Sequence, residues 1–205
     1  MGRIIYLMGK SSSGKDTIFK ELLETGKREN KAGGNARGRL RTIVPYTTRP
    51  IREGERDGVE YHFTDEEGYR ELEASGKVIE QREYHTFHGI WRYFTVDDGQ
   101  FDPMGEQDYI MIGTLESYQS MREYFGDKNV LPVLIELDDG VRLQRALDRE
   151  SRQGQPRYEE MCRRFLADQE DFSEERLNAA GIERHFHNDN LEKCLAEIRE
   201  YICEE

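Results

Sequence analysis

The sequence predicts an α/β fold in which one parallel sheet carries helices on both faces. Short apolar runs alternate with segments of helical period along the chain, which is the pattern of a doubly wound sheet. Tyr109-Ile110-Met111-Ile112 and Val133-Leu134-Ile135-Glu136-Leu137 are near-continuous apolar runs, as strands covered on both faces require. A glycine-bounded loop, Gly9 to Lys15, lies between the first such run and the first helical segment.

Taken in order, Ile4 to Met8 reads as a strand ending at Gly9, and Ile18, Phe19, Leu22 and Leu23 recur at helical spacing after Lys15. The stretch Gly26 to Arg41 contains Gly33, Gly34 and Gly38 among Lys27, Arg28, Lys31, Arg37, Arg39 and Arg41, with few apolar side chains, and reads as a mobile surface loop. Ile43-Val44 reads as a strand running into Tyr46 to Pro50, where proline enforces an extended or turned backbone. Asp65 to Gly76 has helical period, with Tyr69 and Leu72 on one side and Gly76 as the terminator. Val78 to Arg82 and Trp91 to Val96 read as strands. Leu115 to Phe125, Arg142 to Arg149, Tyr158 to Phe172 and Leu191 to Ile202 read as helices. No internal repeat appears.

The chain has 205 residues, which suits one compact domain. Asp+Glu total 42 against Lys+Arg 30, a net charge of -12 that repels a nucleic-acid backbone and disfavours bulk DNA or RNA binding. Cys162, Cys194 and Cys203 are too far apart for a zinc cluster and odd in number, so reduced thiols in a cytoplasmic protein are expected. No run reaches transmembrane length, and the amino terminus lacks a signal-type apolar region. His85 with His88, and His185 with His187, lack further metal ligands nearby and read as ordinary polar residues.

Gly9-Lys10-Ser11-Ser12-Ser13-Gly14-Lys15 fits G-x-x-x-x-G-K in its strand-to-helix context. Glycines let such a loop curl so that backbone N–H groups and the helix N-terminus converge on an anion. Gly9, Ser11, Ser12, Ser13, Gly14, Lys15, Asp16 and Thr17 are therefore assigned to a nucleoside triphosphate, with Lys15 on its β- and γ-phosphates. The position after the lysine, usually Ser or Thr for Mg²⁺, is Asp16. Its carboxylate is a hard oxygen donor suited to that ion, or else a helix cap.

Thr47-Thr48-Arg49-Pro50-Ile51-Arg52-Glu53-Gly54-Glu55-Arg56-Asp57-Gly58-Val59-Glu60-Tyr61-His62-Phe63 resembles the guanylate kinase signature. The resemblance implies a P-loop NTPase three-layer fold and phosphoryl transfer from ATP to GMP with Mg²⁺. It divides the chain into a core of residues 1–47, 97–141 and 165–205, an acceptor-binding insertion at 48–96 and a mobile lid at 142–164. Arg49, Arg52 and Tyr61 are implied to hold the acceptor phosphate, a task suited to forked guanidinium groups and a phenol.

Val78-Ile79-Glu80 resembles the family's base-reading segment, with Glu80 accepting from guanine N–H groups. Tyr93 is assigned the place of a second phosphate-binding tyrosine, with Trp91 and Arg92 as alternatives, because Phe87 to Phe94 matches its family counterpart poorly. Pro45, Ile112 and Thr114 depart from family positions that carry serine or aspartate; Thr114 retains a hydroxyl and is assigned to the acceptor.

Arg145 and Arg149, four apart on one helix, and Arg164 on the next are implied to reach the transferring phosphoryl group, where charge stabilisation dominates catalysis. Gln153-Gly154-Gln155-Pro156 reads as the turn between those helices. His187-Asn188-Asp189-Asn190-Leu191 resembles the turn whose asparagine, here Asn188, contacts adenine. ATP and GMP are the expected partners, with no nucleic acid or membrane and a monomer or homodimer as the assembly. Two rivals remain: a kinase of the same build acting on another nucleoside monophosphate or on ribose 1,5-bisphosphate, and a guanylate-kinase-like binding module, against which the intact Lys15 and flanking glycines argue.

Overall fold

The computed structural model describes residues 2–31, 40–52, 54–86 and 89–204. Glu53, Phe87, His88 and the 32–39 portion of the basic stretch lie outside the described residues. Strand β1 (Ile4–Met8) is fully buried and leads through the glycine loop into helix α1 (Lys15–Lys31). The strand pairs in parallel with β7 (Tyr109–Ile112) on one side and β8 (Val130–Glu136) on the other. With β2 (Arg41–Thr42) and β9 (His185–His187) at the edges, the order is β2-β7-β1-β8-β9, parallel throughout.

Alternation along β1 divides the core into two layers. Ile5 and Leu7 face Ile18 and Leu22 of α1 and Leu195 and Ile198 of α7 (Leu191–Glu204). Ile4, Tyr6 and Met8 face Leu115, Tyr118 and Met121 of α3 (Leu115–Phe125) and Leu177 of α6 (Glu174–Ala179). This is the three-layer arrangement that the unbroken apolar strands require.

A second sheet, β4-β3-β6-β5, joins β3 (Tyr46–Thr47), β4 (His62–Phe63), β5 (Val78–Thr86) and β6 (Gly89–Val96). Helix α2 (Glu66–Ala74) covers one face, where Tyr69 packs with Phe94 and Val96. Asp65 caps α2 by accepting from the Gly68 N–H, and Gly76 follows the helix with φ 70. The opposite face looks toward α3. Helices α4 (Asp139–Ser151) and α5 (Tyr158–Asp171) form a hairpin beside the glycine loop. Glu150, buried at its bend, accepts from the Arg157 backbone N–H at 2.6 Å and from Gln153 Nε2 at 3.2 Å, so the hairpin is tied as a unit.

Several local expectations are corrected. Gly26 to Lys31 is helical rather than loop, because α1 continues through Lys27, Arg28 and Lys31, whose long unbranched chains cost a helix little. The strand read at Ile43-Val44 is Arg41–Thr42, with Ile43 extending the ladder by donating its N–H to Ile110 O at 3.1 Å. The strand read from Val133 begins at Val130. The short elements β4, β9 and α6 went unread, since two or three strand residues and a six-residue helix leave no measurable period.

Candidate active site

The glycine loop is shaped by its backbone. Gly9 and Gly14 have φ of 149 and 93, and Ser12 takes the left-handed conformation at φ 63. A Cβ at Gly9 would overlap the Ile135 carbonyl oxygen, and one at Gly14 would overlap the Asn188 amide nitrogen. Glycine is thus demanded at both ends of the motif for space as well as for φ. Ser13 is fully buried, and among the described residues its hydroxyl, like that of Ser12, has no hydrogen-bond partner.

Lys15 opens α1 half-buried, and burial pulls its pKa below the ordinary lysine value, with Asp16 and Asp168 opposing that effect. Asp16 and Thr17 are exposed on a cavity of about 430 Å³ lined also by Ser12, Gly14, Arg145 and Arg149. Arg145 and Arg149 of α4 therefore share one cavity with the loop. Arg164 does not join them; it lies exposed on α5, 3.4 Å from Glu160.

Asn188 lies at the glycine loop and lines the same cavity. It is buried, donates from Nδ2 to Ser13 O at 2.8 Å and uses its backbone N–H on Glu136 O at 2.8 Å. In this arrangement it buttresses the loop from below.

Sequence reading passed over the contacts that fix the loop to the hairpin. Arg142, 1% exposed, donates from Nε to Ser11 O at 3.0 Å and from Nη2 to Asp168 Oδ2 at 3.0 Å, and it also pairs with Asp139. Its guanidinium lies over the Phe165 ring at 4.9 Å. Asp168 accepts from the Ser11 backbone N–H at 2.7 Å, while Lys10 bonds Gln169. Helical spacing did not single out Arg142, because Arg142, Arg145 and Arg149 at i, i+3 and i+7 share one stripe of α4.

On the small sheet, Thr47 and Thr48 pin the Arg49 segment to β6: Thr47 Oγ1 donates to Arg92 O at 2.8 Å, and Thr48 Oγ1 accepts the Arg92 N–H at 2.9 Å. Arg49, 2% exposed, forms a bidentate pair with Glu55 at 2.8 and 3.0 Å. Those bonds hold the Glu55 carboxyl below its ordinary pKa. The Arg49 guanidinium lies 5.5 Å from the centroids of both Tyr61 and Phe63. Arg52 is exposed on the same segment.

Tyr93 meets Tyr61 edge-on at 5.5 Å, whereas Arg92 points to the opposite face and bonds Glu66 Oε2 at 3.0 Å. Strand alternation thus places Tyr93 in the site and removes Arg92 from it.

Glu80 reaches the site through a β-bulge. Val78 pairs with Val96 and packs toward α2, yet Glu80 pairs with Thr95, the register shifting between them. Without that extra residue Glu80 would share the α2 face with Val78; the bulge turns it to the open face. Glu80 is buried and accepts from Thr95 Oγ1 at 2.7 Å and from Arg82 Nε at 3.1 Å. Arg82 Nη1 donates to Thr114 Oγ1 at 3.3 Å, and Thr114 also caps α3 by accepting the Ser117 N–H. Arg82 had been passed over.

Behind Thr114, a Cβ at Gly113 would overlap the Tyr6 hydroxyl and come within 3.0 Å of Tyr6 Cε1. Tyr6 is fully buried, and burial pushes its phenol well above the ordinary value. Because that ring cannot retreat, Gly113→Ala is expected to cost about 1–3 kcal/mol of stability by overpacking. Urea denaturation measures the loss, and an unchanged midpoint would disprove the contact.

Helix α5 and strand β1 each carry residues near both clusters. Asp168 of α5 touches the glycine loop, while Arg163 and Asp171 of the same helix lie within electrostatic reach of Tyr84, whose ring is 5.4 Å from that of Tyr93. Tyr6 beside Arg82 and Glu80 belongs to β1, the strand that delivers the glycine loop.

A family model described as guanylate kinase matches residues 1–90, which contain the glycine loop, the Arg49 segment and Glu80. A guanylate kinase of Helicobacter hepaticus is 31% identical over 128 residues, 62% of this chain and 56% of that protein. One from Paraburkholderia xenovorans is 26% identical over 199 residues, 97% of this chain and 78% of the relative. The chain thus spans little more than half of the first relative's length and about three quarters of the second's. The crystal structure of guanylate kinase from Anaplasma phagocytophilum superposes with a TM-score of 0.65 at 16% identity, covering 99% of this chain and 86% of that one, a likeness of fold. With a curled phosphate loop and an arginine and tyrosine cluster on a separate small sheet, the chain is similar to guanylate kinases over its first 90 residues and in its fold.

Proposed function

We propose that this chain transfers a phosphoryl group from ATP to GMP. The observation that carries the reading is the joint presence of a cavity at the glycine loop lined by Arg145 and Arg149, with Lys15 at the start of α1 beside it, and a second cluster of Arg49, Tyr61 and Tyr93 on the small sheet. ATP binds at Gly9 to Thr17, where backbone N–H groups and the start of α1 meet its phosphates. Arg49 and Tyr61, joined by Arg52 and Tyr93, hold the acceptor phosphate, and Glu80 accepts from the base. Glu55 orients Arg49 for that task. Lys15, Arg145 and Arg149 stabilise charge on the transferring group, and Arg164 joins them once it leaves Glu160.

Asp16 and Thr17 bring oxygen donors to the triphosphate cavity, which fits a hard cation held between a carboxylate and phosphates. Among the described residues no cluster of three or more His, Cys, Asp or Glu could hold a metal by itself. Mg²⁺ would therefore arrive with the nucleotide, where it supplies charge neutralisation. The residues at 48–96 serve as the acceptor-binding part and those at 142–164 as the lid, whose closure excludes water from the reacting phosphates. Among the described residues no helix is long and apolar enough to cross a membrane. A cytoplasmic monomer or homodimer is the working assignment.

A coupled ADP-release assay over nucleoside monophosphates and sugar phosphates tests this reading. GMP is expected to turn over best. Turnover of ribose 1,5-bisphosphate or another acceptor with GMP inert would favour the second reading, to which Pro45 and Ile112 lend support because they offer the base neither hydroxyl nor carboxylate.

A further inference from the structure

We infer that Arg82 is a specificity-determining residue of the acceptor site, donating to O6 or N7 of a 6-oxopurine whose N1–H Glu80 accepts at its remaining position. The inference rests on the proposed GMP reading and adds a residue to it.

Placement comes from strand register. Arg82 lies directly opposite Tyr93, Tyr93 opposite Thr47, and Glu80 opposite Thr95, so these side chains share the open face of the small sheet. Arg82 therefore lies between the tyrosine of the phosphate clamp and the base-reading glutamate. Its own contacts hold it there: Nε and Nη2 on Glu80 at 3.1 and 3.4 Å, and Nη1 on Thr114 at 3.3 Å.

The hydrogen-bonding capacity of the pair is only partly used. A guanidinium has five N–H groups. Three are engaged here, leaving one on each terminal nitrogen with no bond among the described residues. A carboxylate offers about four acceptor positions. Glu80 fills three of them, with Thr95 Oγ1, Arg82 Nε and Arg82 Nη2. Glu80 and Arg82 thus present an acceptor and fixed donors side by side, on a face that also carries the Tyr93 phenol.

Guanine matches that pattern. It offers N1–H and the 2-amino group as donors beside O6 and N7 as acceptors, and arginine to O6 and N7 is the commonest specific contact to this base. Adenine puts an amino donor at the six-position, so donor would face donor. The guanidinium supplies at this site the selectivity that Pro45 and Ile112 cannot.

The test is steady-state kinetics with ATP and GMP, IMP or AMP for the wild type, Arg82→Ala and Arg82→Lys, with circular dichroism and Tm recorded for each. Arg82→Ala is expected to raise KM for GMP and IMP in parallel by roughly 10- to 100-fold, to leave kcat within a few-fold, and to shrink the GMP-over-AMP preference by a similar factor. IMP is informative because it keeps O6 and N7 and lacks the 2-amino group. Arg82→Lys should recover only part of the preference, since an ammonium keeps the charge on Glu80 but lacks the fork. If Arg82→Ala fails to fold, Arg82→Gln, which retains an amide donor and most of the volume, is read the same way.

A folded variant with the wild-type GMP-to-AMP ratio overturns the role of Arg82 and leaves the GMP reading standing. Wild-type enzyme inert toward GMP overturns that reading, and this inference with it.

Discussion

Lys15→Ala is expected to lower phosphoryl transfer by at least about 10²–10³-fold, the usual cost of removing a single preorganised donor from a developing anion. The fold should not suffer. A lysine at the first turn of α1 faces the positive end of the helix dipole, so its removal changes stability by no more than a few tenths of a kcal/mol to about 1 kcal/mol, in the favourable direction. Activity loss and unfolding are thereby separable in one experiment: ADP release falls while the urea midpoint holds or rises. Retained turnover would remove Lys15 from the mechanism. The pH profile carries the same information. Burial lowers the Lys15 pKa, so the ammonium loses its proton at a lower pH than an exposed lysine would, and kcat/KM for ATP should begin to decline correspondingly earlier on the alkaline side.

Arg142→Ala is expected to be the most destabilising arginine substitution in the lid, by about 3 kcal/mol. The side chain is 1% exposed and bonds three partners on three segments: Ser11 O of the glycine loop, Asp139 of α4 and Asp168 of α5. Truncation leaves Asp168 with 15% side-chain exposure and no guanidinium, and it strips the Phe165 ring of its cation. By contrast, Arg145 and Arg149 are exposed, and their replacement should reduce activity while sparing stability. Chemical denaturation of the three alanine variants checks this ordering; equal midpoints would show that the buried network is no anchor.

The stability ordering traces to a difference in burial along α4. Arg142, Arg145 and Arg149 share one stripe of α4, yet Arg142 is buried while Arg145 and Arg149 are exposed on the cavity beside the glycine loop, so near-identical chemistry a turn apart meets different surroundings. A count of arginines in the sequence does not separate them, because burial is decided by what α5 and the glycine loop place opposite each position. Arg164 shows the converse. Its motif is sound, yet Glu160 one turn earlier on the same exposed face holds it at 3.4 Å.

The acceptor site was read from the sequence unevenly, for a physical reason. Arg49, Tyr61 and Glu80 belong to a near-contiguous signature in which local spacing carries the information. Arg82 and Tyr6 lie on strands of two different sheets and Gly113 just past the end of β7, and no local pattern announces that they meet. Choosing Tyr93 over Arg92 required only strand parity, but parity is known only once the register is. The bulge before Glu80 hides even that, because it reverses the alternation that Val78 would impose.

What the sequence determined by itself is the scaffold and the phosphate loop. Unbroken apolar strands can be satisfied only between two helical layers, and Gly9 and Gly14 sit where a Cβ would strike backbone or a buried amide. Those are local or compositional constraints, legible one residue at a time. Tertiary structure alone decided how charge is shared: Asp168 on the Ser11 N–H, Glu55 on Arg49 and Glu80 on Arg82 join segments distant in the chain or facing the same cleft. Pairing energy depends on distance and burial, and neither exists until the chain has folded.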